Sequence, residues 1–244
     1  MRIAISGTSN SGKSTLINAF LRRWPMYGTP MKSYRDLIKE HELDHSTKTN
    51  EETQLLILDS MMKLQEQYKP SDNIILDRCT WDNLAYTLVA NSYEQVSDEV
   101  TAASISFVKE SMKNIDIIFW LEYDPDIKIV DNGTRDSKLE YIKEVNGVFS
   151  QLYDHYCDNL EADIFYPKED CPAIIPVEGK TVDDRLFYIS QFIDDKGELI
   201  EPDSNIFSEE NLQLLEQMLT DQSKAKSDDE EVIKLMKEIS KIKK

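Results

Sequence analysis

The chain has 244 residues, with 46 acidic against 28 basic side chains, a formal charge of −18, and 40% hydrophobic residues. That length supplies one sizeable core, and the charge opposes a non-specific grip on nucleic-acid backbones or anionic membranes. No apolar run approaches the ~20 residues of a membrane span, and no secretory leader precedes the first apolar segment, so the expected location is cytoplasmic. The first predicted element is a strand, Arg2–Ser6, followed by a helix over Ser14–Trp24 with Leu16, Ile17, Phe20 and Leu21 at helical spacing and Pro25 as its stop. The pattern then predicts a second strand over Thr29–Tyr34, a short helix over Arg35–Glu42, and a longer one over Asn50–Tyr68 ended by Lys69-Pro70-Ser71-Asp72.

Asn73–Asp77 and Asp116–Glu122 are apolar runs too continuous for half-exposed strands, so both are read as buried parallel strands. Helical patterns cover Thr80–Tyr93 and Asp98–Lys113, and a polar segment, Asp124–Lys138, leads into a helix ending near Cys157. Ala173–Val177 is the last predicted strand, and Thr181–Ile193 the helix after it. Strands alternating with helices define an α/β three-layer sandwich with a mainly parallel sheet over residues 1–194. Residues 195–244, with 13 acidic and 8 basic side chains, read as a C-terminal helical extension. Its two amphipathic helices, Phe207–Gln222 and Glu230–Ile242, carry narrow apolar stripes suited to self-association or a protein partner.

Three segments carry chemistry. Gly7-Thr8-Ser9-Asn10-Ser11-Gly12-Lys13-Ser14 reads G-x-x-x-x-G-K-S between a strand and a helix, the arrangement of a phosphate-binding loop. Its backbone amides and the helix N-terminus favour the phosphates of a nucleoside triphosphate. Gly7, Ser9, Asn10, Ser11, Gly12, Lys13, Ser14 and Thr15 are the expected donor-binding residues, with Lys13 on the β- and γ-phosphates and Ser14 on Mg²⁺. Asp77-Arg78 closes a buried strand, where loops line the ligand crevice of a parallel sheet. Asp77 can hold the metal or accept a proton, and Arg78 can bind phosphate or acceptor in bidentate fashion. In Asp131-Asn132-Gly133-Thr134-Arg135-Asp136, Arg135 is placed to close over the transferring phosphoryl group.

These residues resemble the P-loop nucleoside and nucleotide kinases. Asp77-Arg78 is similar to the Asp-Arg of thymidylate kinases and the Glu-Arg of deoxynucleoside kinases. Val130–Arg135 is similar to the Asp-Asp-Gly-Thr-Arg segment of ribosylnicotinamide kinase domains and their small, often virus-encoded relatives, and Tyr34-Arg35-Asp36-Leu37-Ile38 resembles the same group's second-strand segment. The resemblance covers residues 1–194 and implies an ATP- and Mg²⁺-dependent phosphotransferase. Lys13, Asp77, Arg78 and Arg135 are then the catalytic set, Ser14 and Asp77 the metal ligands, and Arg35 and Asp36 the acceptor-site residues, while among the aromatics suited to stack on a base, Trp81, Tyr86 and Tyr34, Trp81 is the preferred candidate. Asn132 stands where the group has a second acid, and no Glu precedes Tyr34, so the resemblance leaves the acceptor open among a nucleoside, a nucleoside monophosphate and a related molecule.

Two rival functions carry their own requirements. A kinase acting on a modified base or an end of polymeric DNA needs a local basic groove against the overall charge. A nucleotide-dependent regulatory ATPase needs a protein partner, for which the tail helices are the natural surface. His41-Glu42-Leu43-Asp44-His45 also fits the H-E-x-x-H zinc pattern, but its charged setting is that of a solvated helix end. Cys79, Cys157 and Cys171 lack C-x-x-C spacing and read as reduced thiols.

Overall fold

The computed structural model describes residues 1–43, 46–126, 138–158 and 172–200. The Asp131–Asp136 segment, including Arg135, Cys171 and both expected tail helices lie outside the described residues. Met1–Glu198 forms one compact unit. Its elements are β1 (Arg2–Gly7), α1 (Lys13–Arg23), α2 (Tyr34–Glu40), α3 (Glu51–Glu66), β2 (Ile74–Asp77), α4 (Thr80–Ser92), α5 (Asp98–Met112), β3 (Ile117–Leu121), α6 (Leu139–Asp158), β4 (Ala173–Pro176) and α7 (Val182–Ile189).

The four strands form one sheet in the order β2-β1-β3-β4, every pair parallel. Every residue of β1 and of β3 is buried, as continuous apolar runs in a doubly covered sheet require. Side chains alternate along β1. Ile3 and Ile5 join Leu16 and Phe20 of α1 and Ile189 of α7 on one face, whereas Ala4 joins Leu58, Trp81, Val108 and Phe149 of α3 to α6 on the other. The chain leaves β1 toward β2 on one side and leaves β3 toward β4 on the other, so the loops after β1 and β3 diverge. That divergence opens a crevice at the carboxyl ends of the strands.

The helix starts are written locally. Asn50 accepts from the Thr53 amide at 2.9 Å and Thr181 from the Asp184 amide at 3.1 Å, and Ser33 and Asp36 form a capping box at the start of α2. That box corrects one expectation: Thr29–Tyr34 is not a strand. Gly28 makes an isolated parallel bridge to Ile74, Pro30 has no amide with which to continue a ladder, and the Ser33 cap draws Tyr34 into α2. α7 also ends at Ile189, four residues short of the expected limit. Among the described residues no helix is long and apolar enough to cross a membrane.

Candidate active site

The loop between β1 and α1 is shaped by its glycines. Gly7 has φ +133°, and a Cβ there would stand 2.3 Å from the Leu121 carbonyl oxygen of β3. Gly12 has φ +90° and precedes the first residue of α1. Only glycine takes both positions without strain. Lys13 folds back into this loop, donating to the carbonyls of Gly7 at 2.9 Å and of Thr8, and to Ser11 Oγ at 3.2 Å. It is 4% exposed. Burial holds its ammonium well below the usual lysine range, and the Arg78 charge pushes the same way against Asp77 and Asp82.

Asp77 and Arg78 leave the end of β2 beside β1. Arg78 sits at φ +78°, a conformation uncommon for a side-chain-bearing residue. Its guanidinium is held on all sides: Nε donates to Tyr34 Oη at 3.0 Å, Nη1 to Asp82 Oδ1 at 2.9 Å, and Nη2 to Tyr86 Oη at 3.0 Å. The Tyr86 ring also lies 4.9 Å from its carbon centre. Burial opposes the Arg78 charge, but Tyr34, Tyr86, Asp82 and Asp77 outweigh it and hold the pKa well above the ordinary arginine value. Asp77 pairs through Oδ2 with Arg35 Nη1 of α2 at 2.6 Å, while its Oδ1 is buried without a partner among the described residues.

Asp82 was not foreseen. Buried in the first turn of α4, it accepts from Ser6 Oγ at 2.5 Å, the Gly7 amide at 3.1 Å, the Cys79 amide at 3.0 Å and Arg78. One carboxylate thereby joins the phosphate-loop entrance to the Asp-Arg turn. The legible signal was its place three residues after the Cys79 N-cap and four after Arg78, masked because cysteine is not a usual capping residue.

Two clefts meet here. A polar one is lined by Ser9–Thr15 together with Tyr34, Arg35 and Arg78. A mainly apolar one encloses about 810 Å³, including its open mouth, between Tyr34, Ile38, Ile57, Met61 and Tyr86. Ser9, Tyr34, Arg35 and Arg78 line both. The apolar cleft has a fixed polar end: Gln54 donates to Thr49 Oγ1 at 2.8 Å and accepts from Asn83 Nδ2 at 3.0 Å and Thr87 Oγ1 at 3.2 Å. Gln54 and Asn83 were not among the expected site residues.

Arg35 is placed at the junction, but Asp36 and Trp81 are not. Trp81 is 0% exposed, packed edge-on against Trp120 and Phe149 with centroids at 5.9 and 4.9 Å. It belongs to the core, because residue 81 faces the sheet while Tyr86 turns toward the cleft. Asp36 is spent on the α2 cap, accepting from the Ser33 amide at 2.7 Å and hydroxyl at 2.9 Å. His41 is the C-cap of α2, and Asp44 and His45 lie outside the described residues.

A glycine-shaped loop between a parallel strand and a helix, next to a strand-end Asp-Arg pair, defines a P-loop nucleotide-binding α/β protein. Residues 2–159 match the family model described as AAA domain, more than half of the chain, and the protein belongs to that family. No relative among curated proteins matches the chain. Among solved structures it is similar to deoxyadenosine kinase from M. mycoides with products dCMP and dCDP, at 19% identity and a TM-score of 0.57, covering 78% of this chain and 97% of that one. It is also similar to thymidylate kinase from Candida albicans, at 22% identity and a TM-score of 0.52, covering 82% of this chain and 94% of that one. NadR protein in complex with NR matches at 13% identity and a TM-score of 0.55 over 83% of this chain and 53% of NadR. The fold is shared with these solved kinases.

Proposed function

We propose that the protein transfers the γ-phosphoryl group of Mg-ATP to a hydroxyl group of a nucleoside. The observation that carries this reading is the shared wall of the two clefts: Tyr34, Arg35 and Arg78 line both, which brings a phosphate-binding loop into line with an apolar chamber. Tyr34, Tyr86, Ile57 and Met61 suit the faces of a base, and the locked Gln54–Asn83 amides suit its polar edge. Charge pairing favours a neutral acceptor. Both junction arginines already pair with carboxylates, Arg35 Nη1 with Asp77 and Arg78 Nη1 with Asp82, which offsets part of the positive charge that a phosphate-bearing acceptor would need.

In this reading Lys13 and the loop amides hold the donor phosphates, whose negative charge favours the ammonium that burial disfavours. Asp77 is the carboxylate for one of two tasks, holding Mg²⁺ or accepting the proton of the attacking hydroxyl. Arg78, and Arg135 from outside the described residues, stabilise charge on the transferring group. Ser14 and the unpartnered Asp77 Oδ1 are hard oxygen donors of the kind that hold Mg²⁺ together with substrate phosphates. When bound, Mg²⁺ neutralises charge on the β- and γ-phosphate oxygens. Asp82 keeps the Asp-Arg turn in register with the loop.

A thermal-shift screen of nucleosides and nucleoside monophosphates with ADP and Mg²⁺ tests the reading, because a ligand of the native state raises Tm. A nucleoside should raise Tm beyond ADP alone. A shift with monophosphates and none with nucleosides would contradict the hydroxyl acceptor.

A further inference from the structure

Behind the phosphate loop lies an arginine that no reading of the motifs selects. Arg185, in the first turns of α7, is 5% exposed, and its Nη1 donates to the Ser11 carbonyl at 2.8 Å while Nε donates to the Gly179 carbonyl at 3.0 Å. No carboxylate among the described residues forms an ion pair with it. A buried cation held only by neutral carbonyls is costly, and such charges are ordinarily paired. The other buried arginines among the described residues differ: Arg78 has Asp82 and Arg2 has Asp116.

Its grip also has a geometric consequence. In a trans peptide the carbonyl and the following N–H point in opposite directions. Arg185, drawing the Ser11 carbonyl to its own side, turns the Gly12 N–H the other way. The space around Gly12 is fitted to this contact, since a Cβ at Gly12 would stand 3.0 Å from Arg185 Nη1.

We propose that Arg185 is a positioning residue of the donor site: it orients the Ser11–Gly12 peptide so that its amide faces the phosphates, and the bound polyphosphate supplies the counter-charge that Arg185 lacks. The proposal rests on the reading of the loop as a nucleotide site. It commits the last helix of the sandwich to donor binding and leaves acceptor recognition to α2, α3 and α4. Burial also lowers the Arg185 pKa, against the pull of Asp124, the direction expected of a cation awaiting an anion.

The test compares wild type, R185K and R185M for binding of Mg-ATP and inorganic tripolyphosphate by calorimetry, and for the separate KM values of donor and acceptor. Wild type that binds neither polyphosphate refutes the nucleotide-site reading itself. Where wild type binds, R185M should lose about tenfold in affinity for both, the scale of a lost charged hydrogen bond. R185K, which keeps the charge and loses the fork, should fall between, and acceptor KM should stay within twofold. Wild-type affinity in R185M, or an equal loss in donor and acceptor KM, overturns the proposal. If R185M does not fold, the wild-type chain decides by ¹⁵N NMR, with R185K assigning the arginine signal. On addition of Mg²⁺-tripolyphosphate the Arg185 Nε–H resonance should shift with the Gly12 amide, and an unmoved Arg185 signal beside a shifted Gly12 overturns the assignment.

Discussion

Replacing Asp82 by Asn tests the element on which the site geometry depends most. The substitution keeps size and shape but removes the charge opposite Arg78, in a pair whose side chains are 4% and 1% exposed. It also puts an NH₂ group where one carboxylate oxygen now accepts from Ser6 Oγ and the Cys79 amide, so donor meets donor. Breaking a buried pair costs about 3–5 kcal/mol. The lower end applies, because Tyr34 and Tyr86 still hold the Arg78 guanidinium. At ~2–4 °C per kcal/mol for a unit of this size, the melting temperature should fall by about 6–12 °C. Calorimetric melting of D82N, R78M and the double variant checks the value, and the cycle should return a coupling of at least about 1 kcal/mol. Transfer activity should fall with stability, since the same carboxylate positions the Gly7 amide and Arg78. A D82N protein melting within 2 °C of wild type, with independent effects at the two positions, would refute the reasoning.

Asp77→Asn should slow single-turnover phosphoryl transfer by at least ~10²-fold with little change in ATP affinity, as for a lost proton acceptor or metal-holding carboxylate; rates within a few-fold of wild type would remove Asp77 from the chemistry. Lys13→Met should abolish transfer in a folded protein, and it also gives a pH signature. The native Lys13 pKa is depressed by burial, so the unfolded chain holds that proton to higher pH, and stability attributable to Lys13 rises between the depressed value and the ordinary one near ~10.4. Denaturation midpoints of wild type relative to K13M should therefore increase from pH 7 toward pH 10, and a flat difference contradicts the burial. Trp81→Phe should cost about 1–2 kcal/mol through a cavity alone, because Trp81 Nε1 has no partner to lose among the described residues. Acceptor KM should stay within twofold, and a tenfold rise with unchanged melting would return Trp81 to the acceptor site.

The parts of the fold visible beforehand were those set by local pattern. Ile74–Leu76 and Ile117–Leu121 declare buried strands by unbroken apolarity, and the glycine spacing around Lys13 declares its loop by backbone geometry. The errors came where a short-range pattern competed with packing. Thr29–Tyr34 has β-forming residues, yet the Ser33–Asp36 cap and Pro30 decide that segment. The same cap uses the carboxylate of Asp36, which the sequence resemblance gives to the acceptor. Trp81 and Tyr86 occupy one helix, and both look suited to stacking on a base. Which of them faces the core follows from the roll of α4 against β1 and α6, information that lies outside the segment. Gln54, Asn83 and Arg185 are joined to the site by contacts spanning from 29 to 174 positions, beyond the reach of any motif.

The central claim is that a donor loop and a hydroxyl-acceptor cleft meet at Tyr34, Arg35 and Arg78. Its most direct test is turnover of Mg-ATP by the full chain with each nucleoside and nucleoside monophosphate in turn, the products resolved chromatographically. The account predicts slow ATP hydrolysis alone and rapid, stoichiometric formation of ADP and a nucleoside monophosphate with at least one nucleoside. Formation of nucleoside diphosphates from monophosphates without any turnover of nucleosides, or turnover that no small acceptor stimulates, would contradict it.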